Sequence, residues 1–321
     1  MAAPGSVLAS RRVRRFESFR AITAAAALIT LVLLLAVAIF LVVKAIPALR
    51  ADTASFLTAK GWQPDSTPPV FGVAALAFGT LLSSALALAM AVPVAVGVAV
   101  FIVEYAPKRI ASWLGYAVDL LAAVPSVVFG LWGVVFLIPR MTGFQHWLAT
   151  RFGWFPLFAD PDGQTATASR SIFVAAVVLA IMVLPIVAAI SREVLRQVDP
   201  ALKEAALALG ATQWEMVRMA VLAPSRAGIA GGVMLGLGRA LGETIAVALV
   251  LGTSFAINWH VLTPGGNTIA ANIANYFAEA GPTGRSALIA SGLVLFAMTL
   301  FVNTVARTVI YRGAVRRGGD R

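Results

Sequence analysis

Cysteine is absent from the 321 residues, so disulfides, thiolate metal sites and cysteine nucleophiles are excluded together. Histidine is almost absent. His146 and His260 stand too far apart in sequence to form a metal motif and are expected as solvated loop residues, so no metal site is expected. Nowhere does the chain contain a G-x-x-x-x-G-K-[ST] run, so it has no phosphate-cradling ATPase loop of its own. Charge is scarce at 12% of residues, and acids are the scarcer sign, with 14 against 25 Lys and Arg and a net charge of +11. Such an excess could suggest nucleic acid. The basic residues, however, stand beside apolar runs rather than along a phosphate-tracking face, so no nucleic-acid partner is expected.

What is abundant is apolar surface, 60% of residues with a mean hydropathy of +0.89. That is beyond any soluble domain of this length, and the expected class is an all-α, polytopic protein embedded in membrane lipid. Residues 1–20 carry Arg11, Arg12, Arg14, Arg15 and Arg20 and read as a basic cytoplasmic N-terminus. The uncharged run Ile22 to Val43 has 22 residues. A cleaved signal peptide has an apolar core of only about 7–15, so a retained first transmembrane helix is expected, with an external loop filling out residues 21–70. From Val70 to Val103 no charge interrupts 34 residues. This exceeds the roughly 20 that cross a bilayer, so the second helix must tilt, kink or protrude, with Pro93 as the expected bend.

The third span is expected over Trp113 to Ile138, broken by Pro125 and containing Asp119, with residues 140–170 as an external loop. A fourth follows over Ser171 to Ile190, a fifth from Ala227 to about Phe255, and a sixth from Ser286 to Ala306, before a basic cytoplasmic tail at 311–321. With this threading the inside segments hold 17 Lys and Arg, the outside segments 7, and Arg239 lies in the membrane. The excess puts both termini in the cytoplasm.

Between spans four and five, Asp199 to Pro224 spells two short helices and a tight turn. Asp199 and Pro200 suit the first cap, Gly210 the left-handed stop, and Thr212 with Glu215 a capping box. On the second helix Trp214, Val217 and Val221 are expected on one face, as a docking helix requires.

Gly228, Gly232 and Gly236 repeat every four residues in the fifth span and offer a close-approach groove. On a regular helix Arg239 and Glu243 share a stripe of about 80° with them. Arg239 then lies 12 residues into the span, about 18 Å along the axis and near the bilayer midplane. An unpaired charge there costs about 3 kcal/mol or more, so both side chains should face protein or water. Either they form a one-turn ion pair that only locks packing, or Arg239 is a fork for a passing anion with Glu243 fixing its rotamer. Asp119, with Ser126 and Gly130 on its face, either gates the pathway or pairs with Lys108 or Arg109. Asn303 and Thr304 are expected as interhelical hydrogen bonders.

Glu204–Ala205–Ala206, with Gly210 and then Leu222 and Pro224, resembles the EAA loop of permease subunits in ABC importers, although Ala223 separates a Leu and a Pro that adjoin in the family. The likeness to the type I importer permease core runs over 71–310, with 199–224 as the coupling segment. LAAVPSVVFGLWG (121–133) and LGRALGETIAVALVLG (237–252) are similar to PstC-type subunits of phosphate importers.

The resemblance implies six transmembrane helices and half of an inward phosphate pathway. It also implies a PstA-type permease subunit, a homodimeric ATP-binding subunit and an external phosphate-binding protein as partners. ATP and Mg are expected on the ATPase, with no cofactor in this chain, which is not itself an enzyme. Glu204, Ala205, Ala206 and Gly210 become the ATPase-coupling residues, and Arg239, Glu243 and Asp119 the substrate-pathway residues. A permease for molybdate or sulfate is the alternative. A stand-alone secondary transporter would often show inverted repeats, and no second Gly-x-x-x-Gly…Arg…Glu pattern occurs.

Overall fold

In a computed structural model, the backbone is described for residues 5–161, 163 and 170–318, and side chains for 19–308 apart from 162 and 164–169. The arginines at 11–15 and the basic tail from 311 lie outside the described side chains. Helix α1 spans Gly5–Ala51 and runs straight through Pro47, so the expected loop starts eight residues later than the apolar pattern ends. A two-residue hairpin, β1 Trp62–Gln63 against β2 Val70–Phe71, pairs Trp62 with Phe71 and Gln63 with Val70. It seats Phe71 beside Ala48 and Ala287.

Helix α2, Ala74–Val100, continues through a wide π-helical turn at Phe101–Tyr105. Helix α3, Lys108–Ala123, is separate, and Val124 and Pro125 are extended before α4, Ser126–Trp132, begins. A second wide turn at Gly133–Leu137 joins α4 to α5, Ile138–Phe152. The third crossing is therefore Ser126–Phe152, not Trp113–Ile138. Two effects shift it. Pro125 stops the helix before it rather than bending it, and the run 140–152 stays helical despite its polar residues. His146 accordingly lies on α5 rather than in a loop.

Helix α6, Ile172–Arg196, is the centre of the molecule, and its residues are buried on nearly every side. It carries Pro185 internally. After it come α7, Pro200–Ala208, and α8, Gln213–Met216, then a π-helical turn at Val217–Leu222 and α9, Ala223–Gly242. Helix α10 is Ile245–Val250, α11 Ile269–Tyr276 and α12 Pro282–Gly318. Among the described residues, six helical stretches are long and apolar enough to cross a membrane: Phe19–Ala51, Ala74–Tyr105, Ser126–Phe152, Ile172–Arg196, Gln213–Gly242 and Pro282–Thr308.

Small side chains decide how α6 packs. On α2, Ala87, Ala91, Ala95 and Ala99 recur every four residues and are all fully buried. The first three cluster with Val183, Val187 and Ala188 of α6. Such a stripe lets two backbones approach closely, which is where helix contact in lipid gains its dispersion energy.

The stretch 256–285, expected as an external loop of Gly, Pro and Asn, instead begins with a segment folded onto the helix ends and then forms α11. Val261 and Leu262 are fully buried, Phe173 donates its N–H to Val261 O at 3.0 Å, and Ile269 N–H reaches Thr80 Oγ1 of α2 at 3.0 Å. Gly265 and Gly266 hold φ of 95° and 124°, which the sharp return to α11 requires. Thr304 was expected to bond across helices, but it donates to Leu300 O of its own helix at 2.7 Å.

Candidate transport site

The knuckle forms as its capping residues dictate. Asp199 accepts from Ala201 N–H at 2.9 Å at the start of α7, and Gly210 turns left-handed at φ 87°. Thr212 and Glu215 make the reciprocal box: Thr212 N–H donates to Glu215 Oε2 at 2.8 Å and Glu215 N–H to Thr212 Oγ1 at 3.3 Å. Glu204, Ala205 and Gly210 are exposed and Ala206 is half-buried.

The second helix of the knuckle differs from its expectation. It is not a short element but the start of a continuous helix that ends only at Gly242. Its buried side chains are Met216, Val217 and Val221, packed with Ala99, Val100 and Leu195, while Trp214 stays exposed. The π-helical turn at 217–222 moves each later residue further round the axis than a regular helix would. A tie that the sequence did not suggest anchors α7. Lys203 Nζ lies 2.6 Å from Glu104 Oε1 at the end of α2, and that carboxylate is only 5% exposed.

Gly228, Gly232 and Gly236 face α6. A Cβ on Gly228 would stand 2.6 Å from Val194 Cγ1, on Gly232 3.0 Å from Ile190 Cγ2, and on Gly236 2.7 Å from Val183 Cγ1. The contacts run forward on α9 and back on α6, from Val194 through Ile190 to Val187 and Val183, an antiparallel register. Extended by three residues, it sets Arg239 level with about Met182, close to the middle of α6.

Arg239 and Glu243 do not share a helical stripe. Helix α9 stops at Gly242, and Glu243 is extended at φ −66°, ψ 127°. The four-residue ladder that would stack the two ends there, so the one-turn ion pair is not formed. Glu243 is instead buried and accepts from Ala246 N–H at 3.4 Å, capping α10. Arg239 is half-buried and takes part in neither ion pair found among the described residues, and its buried Nε has no hydrogen-bond partner.

Asp119 lies on α3, outside the third crossing. Its partner is neither Lys108 nor Arg109 but Arg192 of α6, whose Nη2 donates to both carboxylate oxygens at 2.9 and 3.0 Å. The side chains are 11% exposed for Arg192 and 51% for Asp119, so the cation is the buried member. Gly115, one turn before Asp119, leaves the space: a Cβ there would stand 2.7 Å from Arg192 Nη1. The sequence does not mark Arg192 as that partner, since it opens a polar run after an apolar span, two turns before Asp199.

Comparison with known proteins gives the following. Residues 91–312 match the family described as binding-protein-dependent transport system inner membrane component. A Mycobacterium tuberculosis protein named phosphate transport system permease protein PstC 2 is 47% identical over 304 residues, covering 93% of each chain. The protein named PstC in Mycobacterium leprae is 44% identical, covering 85% of this chain and 86% of its own. That of Mesorhizobium japonicum is 40% identical, covering 95% and 94%.

Proposed function

We propose, from the premise that this chain belongs to the family of binding-protein-dependent transport system inner membrane components, that it forms half of an ATP-driven pathway carrying inorganic phosphate into the cell. Membership makes it a multi-pass permease subunit of an ABC importer. Phosphate as cargo comes from the relatives, named as phosphate permeases, and from a site chemistry that suits an oxyanion. The remaining parts of the machine are a PstA-type permease, a pair of ATPase subunits that bind ATP and Mg, and an external phosphate-binding protein. Both termini and the knuckle then lie on the ATPase side.

The observation that carries the reading is the continuity from knuckle to break. Exposed Glu204 and Ala205 on capped α7 stand one turn of chain from a helix that runs unbroken to Arg239 and ends three residues later. An ATPase gripping α7 thereby moves the end of that helix. At that end Arg239 presents a guanidinium with no carboxylate partner among the described residues, at a depth where a cation needs an anion or a polar neighbour. Glu243 keeps the break in shape through Ala246 and adds a negative charge nearby, which keeps the hold on an anion weak enough for release.

The test is ATP-driven uptake of radiolabelled phosphate by the full complex in proteoliposomes, with sulfate and molybdate as competitors. Uptake should need ATP and should be little affected by either competitor. Uptake of sulfate or molybdate in preference, or uptake by this chain alone without ATP, overturns the reading. Replacing Arg239 by Gln should lower phosphate uptake by at least about tenfold with the complex intact, the scale of one lost charge-assisted contact.

A further inference from the structure

A groove of about 580 Å³ lies between α9 and α12, away from the Arg239 site. Arg218 and Arg226, with Leu222 between them, line its half nearer the knuckle. Ile229, Val233 and Met234 line the rest, and Ala306 of α12 also borders it. Neither arginine takes part in an ion pair among the described residues, and both are exposed.

The level of this groove is set by the contacts of α9 with α6. Gly228 stands against Val194, which places Arg226 beside the last turn of α6 at Arg196. Arg218 is eight residues nearer the knuckle, about 12 Å further out, and Met234 eight residues the other way, about 12 Å deeper. The lining thus changes along its length from cationic at the membrane boundary to hydrocarbon within.

We propose that this groove is a seat for an anionic phospholipid of the leaflet on the knuckle side, its phosphate held by Arg226 and Arg218 and one acyl chain laid along Ile229, Val233 and Met234. The order of the lining is the order of parts in such a lipid. A guanidinium matches a phosphate in two-point geometry, and basic pockets between membrane helices recruit charged headgroups in this way. A transmembrane helix from another protein would fill the apolar part but would leave two guanidiniums against its flank. A zwitterionic lipid would bring its own cation to the same place.

The complete transporter, assembled in nanodiscs of phosphatidylcholine doped with phosphatidylglycerol, tests this by native mass spectrometry after mild delipidation. Wild type should retain phosphatidylglycerol over phosphatidylcholine by about fivefold or more, since each surface cation gains roughly that factor from an anionic lipid. The R218Q/R226Q variant should retain the two equally, and R218K/R226K should keep part of the preference, which separates lost charge from lost folding. Because the chain has no cysteine, the thiol of an A230C variant can carry a benzophenone maleimide in the groove, and on illumination this probe should capture phosphatidylglycerol. Equal retention in wild type overturns the proposal. So does displacement of the lipid by millimolar inorganic phosphate, or cross-linking of A230C to a partner subunit in place of lipid.

Discussion

At the scale of single residues, the Arg192–Asp119 pair is lopsided, and that sets how it breaks. Removing the acid strands a cation that is nearly enclosed, whereas removing the cation leaves a carboxylate that water still reaches. Asp119→Ala should therefore lower the thermal stability of the purified complex by about 1–3 kcal/mol, and Arg192→Met, which keeps the volume, by less. The reverse order would mean that the carboxylate is enclosed by a partner. Glycines on α9 offer a second contrast. Gly236→Ala forces a methyl against Val183 and Val187 and should cost about 1–3 kcal/mol. Gly231→Ala, with open space at its Cβ, should be neutral or stabilising by up to about 1 kcal/mol, read from the same melting curves. The four-residue period of Gly228, Gly232 and Gly236 was legible in the sequence, because period alone decides a helical face. The partner of Asp119 was not, since proximity across 73 residues leaves no local mark.

At the scale of elements, the caps of the knuckle were readable residue by residue. Each is a short-range hydrogen bond between positions two or three apart, and Asp199, Gly210, Thr212 and Glu215 stand where their chemistry puts them. The break after Gly242 was not readable. Glu243 and Thr244 are ordinary residues within an apolar run, and what opens the helix there is the folded neighbourhood that encloses Glu243. The wide turns at 133–137 and 217–222 are equally silent in composition. The tie between α7 and α2 is open to a double-mutant cycle. Lys203→Met alone leaves Glu104 enclosed without a counter-charge and should cost about 1–3 kcal/mol together with part of the ATP-driven uptake. Adding Glu104→Gln should recover most of the stability, as removal of both members of a buried pair does. If uptake stays low in the stable double variant, the ion pair transmits motion and does more than hold α7 in place.

For the whole molecule, hydropathy set the number of crossings but not their edges. It counted six apolar runs, yet the third was displaced by more than ten residues because α3 is apolar enough to resemble a span while standing apart from it. The region 256–285 was read as a loop from its Gly, Pro and Asn content; its buried Val261 and Leu262 show that turn-rich composition can also build a packed cover. Orientation is open to a direct measurement. Cysteine placed at Leu209, which is 89% exposed at the knuckle, should react with a membrane-impermeant maleimide only in inside-out vesicles, and cysteine at Trp154, 79% exposed, only in right-side-out ones. Labelling in the opposite sense would put the knuckle outside and remove the ATPase from its proposed seat.

The unbroken helix from Gln213 to Gly242, 30 residues long, also behaves as a lever. Its fulcrum is the glycine seam against α6, centred on Gly232. About 28 Å of rod lies on the knuckle side of that fulcrum and about 10 Å separates it from Arg239 on the other. Any sideways swing of the knuckle therefore arrives at the guanidinium reversed in direction and reduced to about one third. A swing of several ångströms at the knuckle becomes an adjustment of an ångström or two at Arg239, the scale on which a hydrogen bond is made or lost.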